Sequence, residues 1–347
     1  MINRFLKKVI CVYMKNKGLS LRFLLFIVGL SAFLTYNYII NENGRINDKE
    51  KRNILALNQR VAGICRETSE MYSAEEVLAV ICNPVSGKIL CSLSILRDDK
   101  TELRVSNKKA KDICDIKFDA GNLLFPISVG IALQNKIIGF ADTVDCKSYA
   151  NRIAIRDYAP HGSLTSCGII TKKSFIGFAK ILDKMNGLDL TGEFGKFGIN
   201  YKRGSGNEFL NAFSARCSPF EIIQAYSILA NRGKCLYDFV NGDAAREEQV
   251  LSASVADSIN KALSCELQEI ELKGTPPAAM EICGKAGSGP IFLNDFGKGY
   301  YSYMAGFAPA QNPRFVAFIM VVNPKENKPA HRNEAALLFN NIIKSII

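Results

Sequence analysis

Histidine occurs only twice, at His161 and His331, and none of the eleven cysteines forms a C-x-x-C pair. Imidazole and paired thiolates are the usual ligands of zinc, so no metal site is expected, and nothing in the chain calls for another cofactor. Internal repeats and low-complexity segments are also missing, which removes solenoid and disordered classes from consideration. Acidic residues are absent from the first 22 positions, which carry six basic ones, Arg4, Lys7, Lys8, Lys15, Lys17 and Arg22. Taking those six from the formal charge of +11 leaves +5 for the remainder, too mild a balance to suggest nucleic acid as a partner.

What is present is an apolar share of 48% over 347 residues, enough to build the core of one large domain or two small ones. The basic tail at 1–22 runs into an uncharged stretch of 18 residues, Phe23 to Ile40, close to the shortest helix that spans a bilayer. Its positive flank belongs on the cytoplasmic side, so the expected organisation is a cytoplasmic tail at 1–22 and a single-pass anchor at 23–40 in a bacterial cytoplasmic membrane. A stalk or linker helix follows at 41–73, and the main domain at 74–347 lies outside. A cleaved signal peptide is the competing reading, but the apolar run exceeds a usual signal core and no A-x-A site follows it.

Ten cysteines would then lie on the oxidising side. They are scattered through apolar segments, which suits core filling better than a disulfide framework. Cys82 and Cys91 sit symmetrically about a turn at Val85 to Lys88 and are expected to face each other across a hairpin, bridged or as two buried thiols.

Along the chain, Ile54, Leu57, Val61 and Ile64 keep helical spacing within the stalk. Leu78 to Ser94, LAVICNPVSGKILCSLS, reads as a hairpin around Asn83, Pro84 and Gly87, and a polar charged stretch runs from Arg97 to Lys111. Ser174 to Met185 is helical by spacing. Ser218, Pro219 and Glu221 form an N-cap, a first-position proline and a capping box that open a helix stopping near Gly233. Further helices are expected over about Val255 to Ser264 and over Glu334 to Ile346. Tyr300 to Ala308 and Phe315 to Val322 read as a strand pair, and the second is apolar on both alternating faces, which implies a strand covered from both sides. A shorter strand ahead of them ends in Lys285, Ala286 and Gly287, followed by Ser288 and Gly289.

Four strings, in order, carry a resemblance. GFAPAQNPR at Gly306 to Arg314 is similar to GFAPxxNPR of the class B penicillin-binding proteins, and LAVICNPVSGKILCSLS to their opening hairpin, AVVxDPxTGxILAMAS. RDYAPHGSLTSCGIITKKSFIGFAKIL from Arg156 resembles RDYxPxGxLTxxxxLxxSSNxGxAKI, and SPFEIIQAYSILANRG from Ser218 resembles TPLQLAxAYAxLANGG. The resemblance runs from about Leu78 to the C-terminus. It implies an α/β (α+β) transpeptidase fold of the penicillin-binding-protein and serine β-lactamase type, with a central antiparallel sheet and helices on both faces. The pedestal domain usual in class B proteins has no room between anchor and domain.

The resemblance also implies a catalytic set that this sequence lacks. A serine with a lysine three residues on shares one helix face, so the amine can take the hydroxyl proton. The family's EPGSTFKPF stands here as DAGNLLFPI, with Asn122 at the serine position and Phe125 at the lysine position. The second motif, SxN, is replaced by Lys173 and Phe175. Of Lys-Thr-Gly, Lys285 and Gly287 remain while Ala286 takes the threonine position. Two S-x-x-K strings elsewhere, at Ser106 to Lys109 and Ser258 to Lys261, are about what chance supplies.

Lys285 is expected either as a remaining cation for an anionic peptide end, with Gly287 and Ser288 beside it, or as a strand-end lysine facing solvent. Ser288 is otherwise a small residue that packs tightly. The resulting expectation is a non-catalytic scaffold or remnant among wall-building or cell-division proteins. Two alternatives stand beside it: a D,D-transpeptidase with a relocated nucleophile, and a sensor of wall peptides or β-lactams. For the anchor, a tag placed after Ile347 is expected to be reached by an impermeant protease from outside the cell membrane. Access from the cytoplasm alone would reverse the topology.

Overall fold

The computed structural model describes residues 48–97, 103–106, 116–149, 155–202, 212–239, 243–269, 282–291, 299–324 and 334–346. The basic tail and the apolar run at 23–40 lie outside them. Among the described residues no helix is long and apolar enough to cross a membrane. The chain divides into two compact units, Met1–Ala56 and Leu57–Ile347. Of the first, residues 48–56 are described and helical.

The second unit is organised by a six-stranded antiparallel sheet. Its strands are β1 (Glu76–Cys82), β2 (Ile89–Arg97), β3 (Leu103–Ser106), β4 (Cys283–Ile291), β5 (Gly299–Ala308) and β6 (Phe315–Val322). They lie in the order β4-β5-β6-β1-β2-β3. The two central strands are apolar on both sides, as the alternation in β6 predicts. Leu78, Val80, Cys82, Val316, Phe318, Met320 and Val322 enter one core cluster, while Val77, Ala79, Ile81, Ala317, Ile319 and Val321 enter another. Sheet faces of this kind hold only if each is covered.

One face is covered by a helical layer made of α2 (Phe125–Gln134), α3 (Ser166–Thr171), α4 (Phe175–Lys184), α5 (Pro219–Ala230) and α6 (Ala253–Glu269). The other is covered by α1 (57–71) and α7 (Glu334–Ile346), through Val61, Cys65, Leu338, Phe339, Ile342 and Ile343. Thus α1, read from its spacing as part of a stalk, contributes fully buried side chains to the second unit. It is tied down by Asn58 Nδ2 donating to the Leu90 carbonyl (2.8 Å) and by Arg97 donating to the Ser69 carbonyl (2.6 Å).

Three local expectations change. Cys82 and Cys91 are not cross-strand neighbours: an irregularity between Ile81 and Cys82 pairs Cys91 with Ile81 and Cys82 with Ile89. The extra step sends the two thiols into different core clusters. All nine described cysteines are free, and burial pushes the Cys91 thiol up to about 12, where it is unreactive at neutral pH. The polar stretch after Arg97 holds β3, an edge strand that its composition does not announce. Finally, β4 runs on to Ile291 instead of ending at Gly287.

The start of α5 follows the sequence closely. Ser218 caps Glu221, and the Glu221 carboxylate accepts in return from the Ser218 N–H (2.6 Å), from the Asn200 N–H (3.1 Å) and from Lys117 Nζ (2.5 Å). Burial alone would raise the Glu221 pKa, but the Lys117 hydrogen bond and the two backbone donors outweigh it and hold it below the usual carboxylate range. A depressed carboxylate pKa stabilises the fold above its unfolded value and loses that contribution as pH falls through the folded value. Glu221→Gln is therefore expected to cost about 1–3 kcal/mol at pH 7, as for a buried hydrogen-bonded charge. In urea titrations the difference should shrink as pH falls below 4.5, the ordinary glutamate value. A difference that holds constant into acid would contradict this account.

Candidate functional site

The site lies where β4, an edge strand among the described residues, meets the start of α2. A short 3-10 turn, Gly121–Leu124, feeds directly into α2. Gly121 opens it at φ +54°, and a Cβ there would stand 2.5 Å from the Tyr303 hydroxyl, so glycine is required on both counts. Pro126 at the first turn pre-sets the helical backbone.

Asn122, on this turn, is buried and bonded at both ends of its carboxamide. Its Nδ2 donates to the Ala286 carbonyl at 3.2 Å, and its Oδ1 accepts from the Tyr303 hydroxyl at 3.1 Å. Tyr303 stands on β5 opposite Gly287 of β4. Burial raises its pKa well above the ordinary phenol value, so the hydroxyl remains a donor at any physiological pH. A Cβ on Gly287 would overlap the Asn122 Oδ1 and the Tyr303 ring, which makes that glycine a condition for the contact.

One helical turn on, Phe125 is fully buried, stacked on Phe178 of α4 (centroids 3.8 Å apart, 19° between planes) and edge-on to Phe175 at 5.6 Å. Phe175 meets Phe213 at 5.7 Å and Tyr158 at 5.5 Å, and Tyr158 is 80% exposed. An aromatic column thus runs from the core to the surface.

The start of α4 is set by Asp157. One carboxylate oxygen accepts from Ser174 Oγ (2.6 Å), the other from the Ile176 N–H (3.0 Å), and Ser174 caps the helix through the Gly177 N–H. Lys173, half-buried just before this cap, takes a left-handed backbone at φ +54°.

Lys285 departs from one of its expectations. Far from facing solvent, it is fully buried as the third residue of β4, with Nζ donating to the Ile170 carbonyl at the end of α3 (2.9 Å) and standing 5.7 Å from the Phe125 ring centroid. A helix C-terminus is a favourable place for a cation. Ala286 directs its side chain into the core of the opposite face and offers only its carbonyl to the site. Ser288 accepts from the Tyr300 hydroxyl at 2.7 Å.

Asn122, Phe125, Phe175 and Lys285, spread over nearly half the chain, therefore converge. Neither chance S-x-x-K string is among them: Ser258 lies on α6, 3.2 Å from Cys167 Sγ, and Ser106 ends β3. Sequence reasoning did not single out Asp157, Tyr158, Ile170, Phe178 or Tyr303. The first two stand in the RDYAP string, but only the strand register brings Tyr303 to Gly287. Among the described residues no cluster suited to a metal ion occurs. Chemically, the convergence offers a carboxamide, an apolar column and a buried ammonium already bonded to a carbonyl. At Asn122 and Phe125 it holds no hydroxyl and no base.

An antiparallel sheet between two helical layers, with this convergence at the junction of an edge strand and a helix start, is the arrangement of the transpeptidase fold. Residues 77–344 match the family model described as the penicillin binding protein transpeptidase domain, and the chain belongs to that family, on the class B branch. It is 26% identical to the peptidoglycan D,D-transpeptidase FtsI of Buchnera aphidicola subsp. Baizongia pistaciae, over 90% of this chain and 61% of the relative. It is 20% identical to the protein of that name in Escherichia coli K12, over 90% and 59%. The chain thus spans about three fifths of the length of these relatives. The transpeptidase domain of Burkholderia pseudomallei penicillin-binding protein 3 shares the fold, with a TM-score of 0.66 at 18% identity over 83% of this chain and 92% of that one.

Because Phe125 fills the junction of α2 and α4 without exposure, Phe125→Ala is expected to cost about 3–5 kcal/mol. The loss should appear as a lower urea midpoint, whereas Tyr158→Ala at the exposed end of the column should stay within about 0.5 kcal/mol of the parent.

Proposed function

We propose that this chain is a non-catalytic penicillin-binding-protein domain, held at the membrane by residues 23–40 with its folded unit outside, and that it serves as a scaffold in a wall-building or cell-division assembly. One observation carries the reading. At the positions that the sequence resemblance assigns to the family's nucleophile and base stand Asn122, bonded to the Ala286 carbonyl and the Tyr303 hydroxyl, and Phe125, stacked on Phe178. A carboxamide forms no acyl-enzyme, and a phenyl ring accepts no proton.

Two serines beside the site are the natural candidates for a relocated nucleophile, and each is already engaged. Ser174 donates to the Asp157 carboxylate while capping α4, and Ser288 accepts from Tyr300. The peptidoglycan assignment is supported by the names of the relatives, which are peptidoglycan D,D-transpeptidases. The buried Lys285 does not favour capture of an anionic peptide end, since reaching a ligand would require it to leave the Ile170 carbonyl.

The reading is tested by treating membranes containing the full chain with a fluorescent penicillin, at concentrations that saturate an active homologue run in parallel. No covalent adduct is expected. A single labelled serine, mapped by mass spectrometry and lost when that serine becomes alanine, would restore the enzymatic alternative.

A further inference from the structure

Two groups on the sheet are set to recognise an amide. The Ala286 carbonyl on edge strand β4 is an acceptor, and the Tyr303 hydroxyl on β5 is a donor; together they hold the N–H and C=O of one carboxamide at 3.2 and 3.1 Å. These are the complementary groups that every primary amide and every peptide bond presents. The carboxamide they hold belongs to Asn122 of this same chain.

Three further features make this a built arrangement. Gly287 leaves the space the carboxamide oxygen needs, and Gly121 leaves the space for the Tyr303 hydroxyl. Asn122 is carried on a turn that continues as the fully packed α2, so the side chain is delivered by a rigid element. Both the carboxamide and the phenol are nearly water-free, at 8% and 3% exposure, where a hydrogen bond left unmade is costly. A peptide amide arriving at this point of β4 would find both of its partners taken and would have to displace Asn122 with no net gain in hydrogen bonds.

We propose that Asn122 is a built-in ligand: its carboxamide occupies an amide-recognising pair formed by the Ala286 carbonyl and the Tyr303 hydroxyl, and so closes this stretch of β4 to peptide amides. The proposal deepens the non-catalytic reading above, on which it rests. That reading concerns covalent chemistry, whereas this one says that reversible peptide binding is also shut off, and that its loss is enforced by a specific side chain.

The test has two arms, both on the full chain. In the unmodified protein, the bonded Asn122 side-chain N–H is expected to exchange with solvent deuterium at least about tenfold more slowly than free asparagine, because its bond is buried. Exchange at the free rate would overturn the proposal whatever becomes of any variant. In Asn122→Gly, acetamide should fill the vacated pair and raise the thermal midpoint by about 2–4 °C, as expected for a ligand bound only by the folded state. N,N-dimethylacetamide, which has no N–H, should not. The parent chain should respond to neither.

Equal shifts with both amides, no shift with either, or a shift as large in the parent would overturn it. Asn122→Ala serves the same comparison should the glycine variant not fold. A penicillin adduct on a serine would overturn the non-catalytic reading without altering the exchange rate. Free exchange without an adduct would remove only the built-in ligand.

Discussion

A sheet whose central strands are apolar on both faces cannot stand against water on either side, and the rest of this fold follows from that constraint. Val77, Ala79 and Ile81 demand one cover while Leu78, Val80 and Cys82, their immediate neighbours in sequence, demand another. Since side chains alternate with a period of two, one strand seven residues long commits the chain to two cores. The helices from either end of the described chain, α1 and α7, supply the smaller cover, and α2 to α6, which lie between β3 and β4, supply most of the larger. The candidate site is on the larger side because α2, α3 and α4 belong to that cover, and it stands at the edge because β4 has a sheet neighbour on one side alone among the described residues.

The packing also separates what fills the site from what holds its shape. Stacking of Phe125 on Phe178 and the edge contacts of Phe175 fill with carbon what polar side chains would otherwise have to fill with satisfied hydrogen bonds. The elements that deliver these residues are held by bonds outside the column. Asp157 fixes the start of α4, Gly121 and Pro126 fix the start of α2, and the β4–β5 register fixes Lys285. Geometry and reactivity are therefore carried by different residues.

Much of this was legible in the sequence where local physics decides. The cap at Ser218, the alternation in β6 and the amphipathic spacing of α7 each name their element almost to the residue. The positions that converge were legible through matched strings on either side of them, which keep register across the unmatched residues between. What could not be read is what depends on three-dimensional registration. No composition rule reveals that a one-residue irregularity after Ile81 separates two cysteines that spacing brings together. Nor does any rule reveal that a lysine between glycines and alanine is buried against a helix end, because the acceptor, Ile170, lies 115 residues away. Tyr303 is likewise one aromatic among several on β5 until its opposite number, Gly287, is known.

The stack of Phe125 on Phe178 bears on which side chains this pair of positions can accept. A lysine at 125 would place an ammonium in a fully buried, carbon-lined slot close to the Lys285 amine, and would carry the cost of two like charges in a low-dielectric setting. A serine at 122 would strip Tyr303 and Ala286 of their shared partner and, with Phe125 one turn on, would gain no base there to activate its hydroxyl. Each change weakens the fold when made first, and neither confers activity alone. The two positions are therefore locked by their separate neighbours: neither tolerates exchange unless the other, and the contacts around both, are remade with it.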